Sequence, residues 1–284
     1  VVKAGAKPVL VDSEYDSFNM KVQDLEAKIT PNTKAIMVVH IYGLPVDMNP
    51  ILELAKKYNL KIIEDAAEMH GQTYNGKMCG SFGDISIFSF YPNKHITTGE
   101  GGMVLMDDER LYEKCKSLRN LCFSSDGNKR FIHEELGWNL RMTNIQAALG
   151  VAQLERIDEF VTKKRWIGNM YQELLSDIKS INLPIKQKDF AENIYWVFPV
   201  TLKDDYPKTA KEVMKELGDK GIGTRPFFYP MHTQPVFNKM GLFVDEEYPN
   251  AIKLYERGFY IPSGLAITEE QIKQVSKFLH EVLV

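Results

Sequence analysis

Cysteine is scarce in this chain. Its 284 residues include three, Cys79, Cys115 and Cys122, with no CxxC pair and no metal-like spacing to histidine. Neither a disulfide framework nor a zinc site is expected, and a reducing cytoplasm is the simplest compartment. Long apolar runs are missing as well. No stretch approaches the roughly 18 consecutive apolar residues that would cross a bilayer, and no signal-peptide pattern is visible, so no membrane role is expected. An excess of one charge is also absent. With 35 Lys and Arg against 38 Asp and Glu, the net charge is −3, which does not point to a nucleic-acid surface or an anionic membrane. The six histidines, His40, His70, His95, His133, His232 and His280, form no HExxH or triad-like pattern. Neither a GxGxxG run nor a Walker loop occurs, and there are no internal repeats, low-complexity tracts or charge blocks.

What remains is an ordinary globular composition, 44% hydrophobic and 26% charged, long enough for one large domain or two modest ones. Strand and helix signals alternate through the first half. Short apolar runs at Val9–Val11, Ala35–Val39, Leu60–Ile63, Ile85–Phe90 and Gly102–Met106 read as strands, and Ala35–Val39 reads as one buried on both faces. Between them, Val22–Ile29 and Ile51–Tyr58 carry apolar residues at helical spacing. Strands separated by helices predict an α/β fold with a mostly parallel sheet. A helix follows from Ile145 towards Ile157, with Thr143 as its N-cap, and another over Val161–Leu175. The texture then changes. Tyr195–Leu202 reads as a strand, Ala210–Leu217 as a helix ended by Gly218, Ile222–Phe228 as extended and Ile272–Leu283 as a closing amphipathic helix. This places a large domain at 1–159 and a smaller α+β domain at 160–284.

Two strand ends carry the chemistry. The run Ile85–Phe90 leads into a loop with Pro92, a lone Lys94 and the glycines Gly99, Gly101 and Gly102. In parallel α/β sheets ligands sit beyond the carboxyl ends of the strands. A lysine emerging there becomes a Schiff-base nucleophile if burial or a neighbouring cation lowers its pKa; the alternative is a surface lysine on a glycine-rich turn. The neighbouring run ends in Glu64-Asp65-Ala66-Ala67-Glu68, where an acid could pair with a cationic ring nitrogen or simply cap the next turn. An imine-forming lysine beside such an acid is the pair that pyridoxal phosphate (PLP) chemistry needs. Gly137–Asn144 lies just before a helix N-terminus, a location that favours anions. Gly223–Pro235 sets three aromatics, Arg225 and His232 in a proline-rich stretch that suits either a substrate cleft or a domain interface.

Together these segments resemble the DegT/StrS family of sugar-nucleotide aminotransferases. The likeness is carried by E-D-A-A at Glu64–Ala67, S-F-x-x-x-K-x-I-T-T-G-E-G-G at Ser89–Gly102 and G-x-N-x-R-M-T at Gly137–Thr143, in that order. It implies the aspartate-aminotransferase-like PLP fold (fold type I), an α/β unit with a mostly parallel sheet and helices on both faces, plus the smaller C-terminal α+β domain. It also implies that relatives carry a further segment before Val1, so the large domain is expected to be N-terminally incomplete, without part of the cup for the cofactor phosphate. By motif position Lys94 would hold the cofactor as a Schiff base, Asp65 would bond its ring nitrogen and Ser89 its phosphate. Asn139 would reach the cofactor of a partner subunit in a homodimer with shared sites. Glu68 would lie near the ring or its 3-hydroxyl, where many relatives have Gln, and Arg225 and His232 would lie towards the sugar nucleotide. The implied reaction moves an amino group from an amino acid, expected to be L-glutamate, to a nucleotide-linked 4-keto-6-deoxy sugar. A GDP-linked sugar is the first expectation; a UDP- or dTDP-linked one, or a non-catalytic family member, stays open. A sugar 3-dehydratase has His in place of the lysine, and Lys94 speaks against it.

Overall fold

The computed structural model describes residues 1–284 apart from Ser125, Arg130 and Glu134. Strands and helices alternate through the first half. β1 (Ala35–Val39) leads to α1 (Met48–Tyr58) and β2 (Lys61–Asp65). A tight hairpin, β3 (Thr73–Tyr74) and β4 (Lys77–Met78), precedes β5 (Ile85–Ser89), β6 (Gly102–Leu105) and α2 (Glu109–Arg119). One sheet has the order β1-β2-β5-β6, with parallel pairing except between β5 and β6. Parallel neighbours need a crossover, and α1 supplies it. Met48, Ile51 and Ala55 bury one face of α1, and Asn59, in the left-handed conformation at φ 51°, ends it by donating back to Ala55 and Lys56 carbonyls.

The sheet is packed on one side. Ile36, Val38 and Ile62 join α1, Met69, Tyr74 and Cys79 in a core, whereas Met37 and Val39 stay at the surface. The run Ala35–Val39 therefore has one buried face, not two, and the described residues place no second layer of helices over Met37 and Val39. Two further expectations change. Val9–Val11 forms no strand, and Val22–Ile29 is a pair of 3₁₀ turns, Val22–Asp24 and Glu26–Lys28. The buried pair Val22 and Leu25 is three apart, a spacing that a 3₁₀ turn satisfies as well as an α-helix.

α3 (Asn144–Leu154) starts at Thr143 with a complete capping box to Gln146. The helix expected to run on to Ile157 breaks at Arg156 (φ −113°, ψ 17°), where α4 (Ile157–Leu174) begins. Beyond it come β7 (Ile181–Asn182), a hairpin of β8 (Gln187–Lys188) and β9 (Ala191–Glu192), β10 (Phe198–Leu202), α5 (Ala210–Asp219), β11 (Arg225–Pro226), α6 (Pro235–Lys239), α7 (Pro249–Arg257), β12 (Gly258–Ile261) and α8 (Glu269–Leu283). A second sheet, β11-β12-β10-β7, is antiparallel throughout. All five residues of β10 are buried, because α4, α5 and α8 pack around the sheet through Ile167, Tyr171, Val213, Leu217, Ile272 and Leu279.

Strand alternation separates the two acids that end β2. Glu64 points into the packed side and is fully buried. It accepts hydrogen bonds from the N–H groups of Gly80, Phe82 and Gly83 and from Ser86 Oγ, and pairs with His40 Nε2 at 3.2 Å. Val46 N–H donates to His40 Nδ1, so Nε2 carries the ring proton and donates to Glu64. Burial alone would push the Glu64 pKa up, but these donors hold it down at about 2. His40, Glu64 and Cys79 form a buried group with possible ligand atoms within 4.8 Å of one another, yet the imidazole and carboxylate atoms are already taken by these bonds.

Because the folded-state pKa is depressed, Glu64 contributes stability above the unfolded value near 4.5, and that contribution is lost as pH falls through about 2. Glu64→Gln is expected to cost about 2–3 kcal/mol at neutral pH, with the difference from wild type shrinking between pH 4.5 and 2. Thermal denaturation of both proteins across that range checks it; a difference that does not change with pH would contradict the assignment.

Candidate active site

The parallel register sets Asp65 beside Ile87. With a side-chain period of two, Asp65 and Ser89 both face the side of the sheet opposite Glu64, at the carboxyl ends of neighbouring strands. Beyond β2 the chain tightens: Asp65 Oδ1 accepts the Ala67 N–H at 3.0 Å, and the Ala66 N–H reaches Ile87 O. Among the described residues nothing donates to Asp65 Oδ2. Glu68 follows, buried, with Oε2 accepting the Tyr42 N–H at 2.7 Å.

Beyond β5 the loop folds back on itself. The N–H and Oγ1–H donors of Thr98 and Thr97 both reach Phe90 O, and Phe90 N–H reaches Gly101 O. Gly101 sits at φ 142°, and a Cβ there would lie 2.7 Å from Thr98 Oγ1 and 2.8 Å from Met142 Cε, so the closure requires glycine. The folded loop turns Lys94 inward. Its side chain is 10% exposed, with Nζ 3.5 Å from Glu68 Oε1 and 3.9 Å from the centroid of the Trp196 ring. Trp196 Nε1 donates to Asn93 O at 2.9 Å.

Aromatic side chains from both halves close the site. Tyr42 stacks on Trp196 (6.2 Å, 14°) and on Phe228 (5.9 Å, 17°), and Tyr260 lies 6.1 Å from Tyr42. Gly43 allows this approach, because a Cβ there would meet Tyr195 N and Trp196 N at 2.6 and 2.7 Å. Tyr42 and Tyr195 adopt positive φ (60° and 49°), an unfavourable conformation for bulky residues that clusters at functional sites.

Burial governs the ionisation of the central pair. It lowers the pKa of Lys94, with the carboxylates of Glu68 and Asp65 opposing the shift. It raises Glu68 to about 7, with the Lys94 charge and the Tyr42 N–H opposing. Both groups are thus pushed towards their neutral forms. Behind them burial holds His70 down at about 4 and His95 well below the usual imidazole range. The amine accordingly faces two acids and two neutral rings.

Lys94, Glu68 and Asp65 come together, and Ser89 stands at the adjoining strand end. Arg225 is exposed on β11, paired with Tyr260 at the rim of the aromatic group. His232 is farther out, in the turn Met231–Thr233, packed on Tyr248 at 4.9 Å. Asn139 lies on the surface, bridged to Asn120 and bonded to Arg141 Nε at 3.0 Å; no contact joins it to Lys94. The linear motifs do not point to Trp196, Tyr42 or Tyr260. Tyr195–Leu202 reads only as an apolar strand, and no spacing ties it to a loop a hundred residues earlier.

This donor set fits PLP. A desolvated amine suits a carbonyl, an acid at a strand end suits a protonated ring nitrogen, and a hydroxyl beside a glycine-rich loop suits a phosphate. A model of the DegT/DnrJ/EryC1/StrS aminotransferase family matches residues 1–280. The chain is 41% identical over 280 residues to a GDP-perosamine synthase of Escherichia coli O157:H7, covering 98% of this chain and 73% of that protein. It is likewise 41% identical over 288 residues to a GDP-perosamine synthase of Caulobacter vibrioides, covering 100% and 75%. Among solved structures it is similar to the aminotransferase from Psychrobacter cryohalolentis, with a TM-score of 0.89 and 31% identity over 99% of this chain and 76% of that one.

Glu68 opposes the loss of the Lys94 proton, so Glu68→Gln is expected to move the pH profile of Lys94 reactivity downwards. The profile can be followed by trapping a small aldehyde on Lys94 with borohydride and mapping the peptide. An unchanged profile would remove Glu68 from the electrostatics of the amine.

Proposed function

This chain belongs to the DegT/DnrJ/EryC1/StrS aminotransferase family, and we propose that it moves an amino group from L-glutamate to a GDP-linked 4-keto-6-deoxy sugar, as in GDP-perosamine synthesis. The enzyme is a PLP-dependent sugar-nucleotide aminotransferase. The observation that carries the reading is the desolvated Lys94 amine beside Glu68, with Asp65 leaving the neighbouring strand. The identities of 41% to two GDP-perosamine synthases favour the GDP-linked sugar over a UDP- or dTDP-linked one.

Bound PLP supplies a carbonyl that condenses with amines and a ring that accepts the electron pair left when a proton departs from the donor carbon. The residues of this chain do the rest. Lys94, with its pKa lowered by burial, offers a free electron pair; it would take the proton from the donor α-carbon and deliver it to the carbon of the former cofactor carbonyl, a positioned transfer typically worth ~10²–10⁴-fold. Asp65 keeps a proton on the ring nitrogen. Glu68 accepts or returns charge as Lys94 changes its own, which its pKa of about 7 allows near neutrality. Ser89 Oγ and the loop after it bind the phosphate. Tyr42, Trp196 and Tyr260 keep water from the amine, and Arg225 and His232 lie towards the nucleotide sugar. Three free thiols fit a cytoplasmic location.

The site is shared between two copies of the chain in this reading. α3 has no buried residue: Ile145, Leu149, Val151 and Leu154 are exposed, as are Trp138 and Leu140 in the segment before it. Exposed apolar residues in such number suit an interface, and a second copy covering them would carry Asn139 to the neighbouring cofactor.

Borohydride reduction of the PLP-loaded enzyme followed by peptide mapping is expected to place the tag on Lys94, and half-reactions against GDP-, UDP- and dTDP-linked keto sugars to favour the GDP-linked one. A tag on another lysine would sink the site assignment, and a preference for another nucleotide the substrate. Leu149→Asp is expected to shift the sedimentation coefficient from dimer to monomer; a variant that stays dimeric places the interface elsewhere.

A further inference from the structure

Lys164, in the middle of α4, is 2% exposed. Among the described residues no carboxylate lies within salt-bridge reach of it. Its ammonium donates instead to two carbonyls, Trp196 O at 2.8 Å and Ser263 O at 2.5 Å. The position of those carbonyls gives the arrangement its meaning. β10 and β12 pair as far as Phe198 opposite Ile261, and continuing that antiparallel register by two residues sets Trp196 opposite Ser263. Past the end of the ladder these two carbonyls would lack strand partners. Lys164 bridges them, while Ser263 Oγ accepts the Phe198 N–H at 3.2 Å. The residue so tied is the one whose indole bonds Asn93 O and covers Lys94.

We propose that Lys164 is a positioning residue for Lys94: by tying the Trp196 carbonyl to α4 it fixes the indole that shields the Lys94 amine from water. The inference rests on Lys94 being the cofactor-bearing lysine. A charged lysine with only neutral partners is costly to bury, and burial brings Lys164 down to about 7; a residue held at that expense in an apolar core is better explained by a task than by stability. Lys164 is not among the charges that shift Lys94, so its influence runs through the position of Trp196. The groups facing Lys94 are Glu68 and Asp65, with His70 and His95 behind, and His95 also faces Lys164. Burial is the largest cause of the low Lys94 pKa. Loosening Trp196 admits water and raises that pKa, which outweighs the lost contact with the ring face.

The test uses the full chain and pyridoxal as the probe. Covalent attachment at Lys94 is trapped with borohydride, mapped and followed against pH, with melting temperature recorded in parallel. Lys164→Met and Trp196→Leu are each expected to move the midpoint upwards by about one unit, or about tenfold slower attachment at neutral pH. The double variant is expected to move no further than either alone, and Lys164→Arg to stay near wild type. If Lys164→Met does not fold, Lys164→Gln, which keeps a donor, is expected to shift the midpoint in the same direction. A wild-type profile in Lys164→Met and Lys164→Gln with only a lower melting temperature overturns the proposal, as do shifts that add in the double variant. Wild type that takes the probe elsewhere than Lys94 overturns the reading on which the proposal rests.

Discussion

Trp196 sits between the two halves of the molecule. Its indole N–H ends on Asn93 O, its ring face lies 3.9 Å from the Lys94 ammonium, and its carbonyl is held by Lys164. The ring belongs to a small cluster with Tyr42, Val197, Phe227 and Leu254 that lies apart from the two main cores. The first core is built around the mostly parallel sheet and the second around the antiparallel one. Lys94 therefore owes its dry environment to a residue of the other half. An exposed lysine keeps its proton at neutral pH and is a poor nucleophile and base. The join between the halves is what sets Lys94 apart from such a lysine.

Two glutamates four residues apart show how local partners decide the outcome of burial. Glu64 and Glu68 both lose water. Glu64 gains three backbone N–H donors, a hydroxyl and an imidazole, and its pKa falls to about 2. Glu68 gains one backbone N–H and a lysine that is itself reluctant to stay charged, and rises to about 7. The first is a permanent anion that pins the Gly80–Gly83 turn to β2. The second can change charge near neutrality, which is what the proposed proton transfer by Lys94 would ask of its neighbour.

Much of the fold was legible in the chain. α1, β1, β2, β5 and α8 lie close to where apolar periodicity predicts them, and Thr143 caps α3 as expected, because these signals are local. Where the structure departs from apolar periodicity, the causes are physical too. Val9–Val11 is apolar but finds no partner strand, and pairing is a tertiary event. Val22 and Leu25 satisfy two kinds of helical turn at once. The interruption at Arg156 carries neither proline nor glycine, so nothing in the linear order marks it. Of the candidate site, Asp65 is legible because it ends a recognisable strand, and Lys94 because it lies in the loop that follows another. The pairing of Arg225 with Tyr260 is a tertiary contact that no local pattern encodes.

The α/β class, the succession of strands along the chain and the pair of chemical groups that follow two of them are encoded locally. Each follows from side-chain periodicity or from a short motif whose residues are neighbours along the chain. The tertiary structure alone decided that Glu64 and Asp65, adjacent in sequence, serve opposite faces, one anchoring the fold and the other reaching the site. It also decided that Trp196 lies over Lys94 and that Lys164 reaches the Trp196 carbonyl. Proton affinity depends on what excludes water and on which charges stand within a few ångströms. Those neighbours come from segments a hundred or more residues away, brought together only by packing.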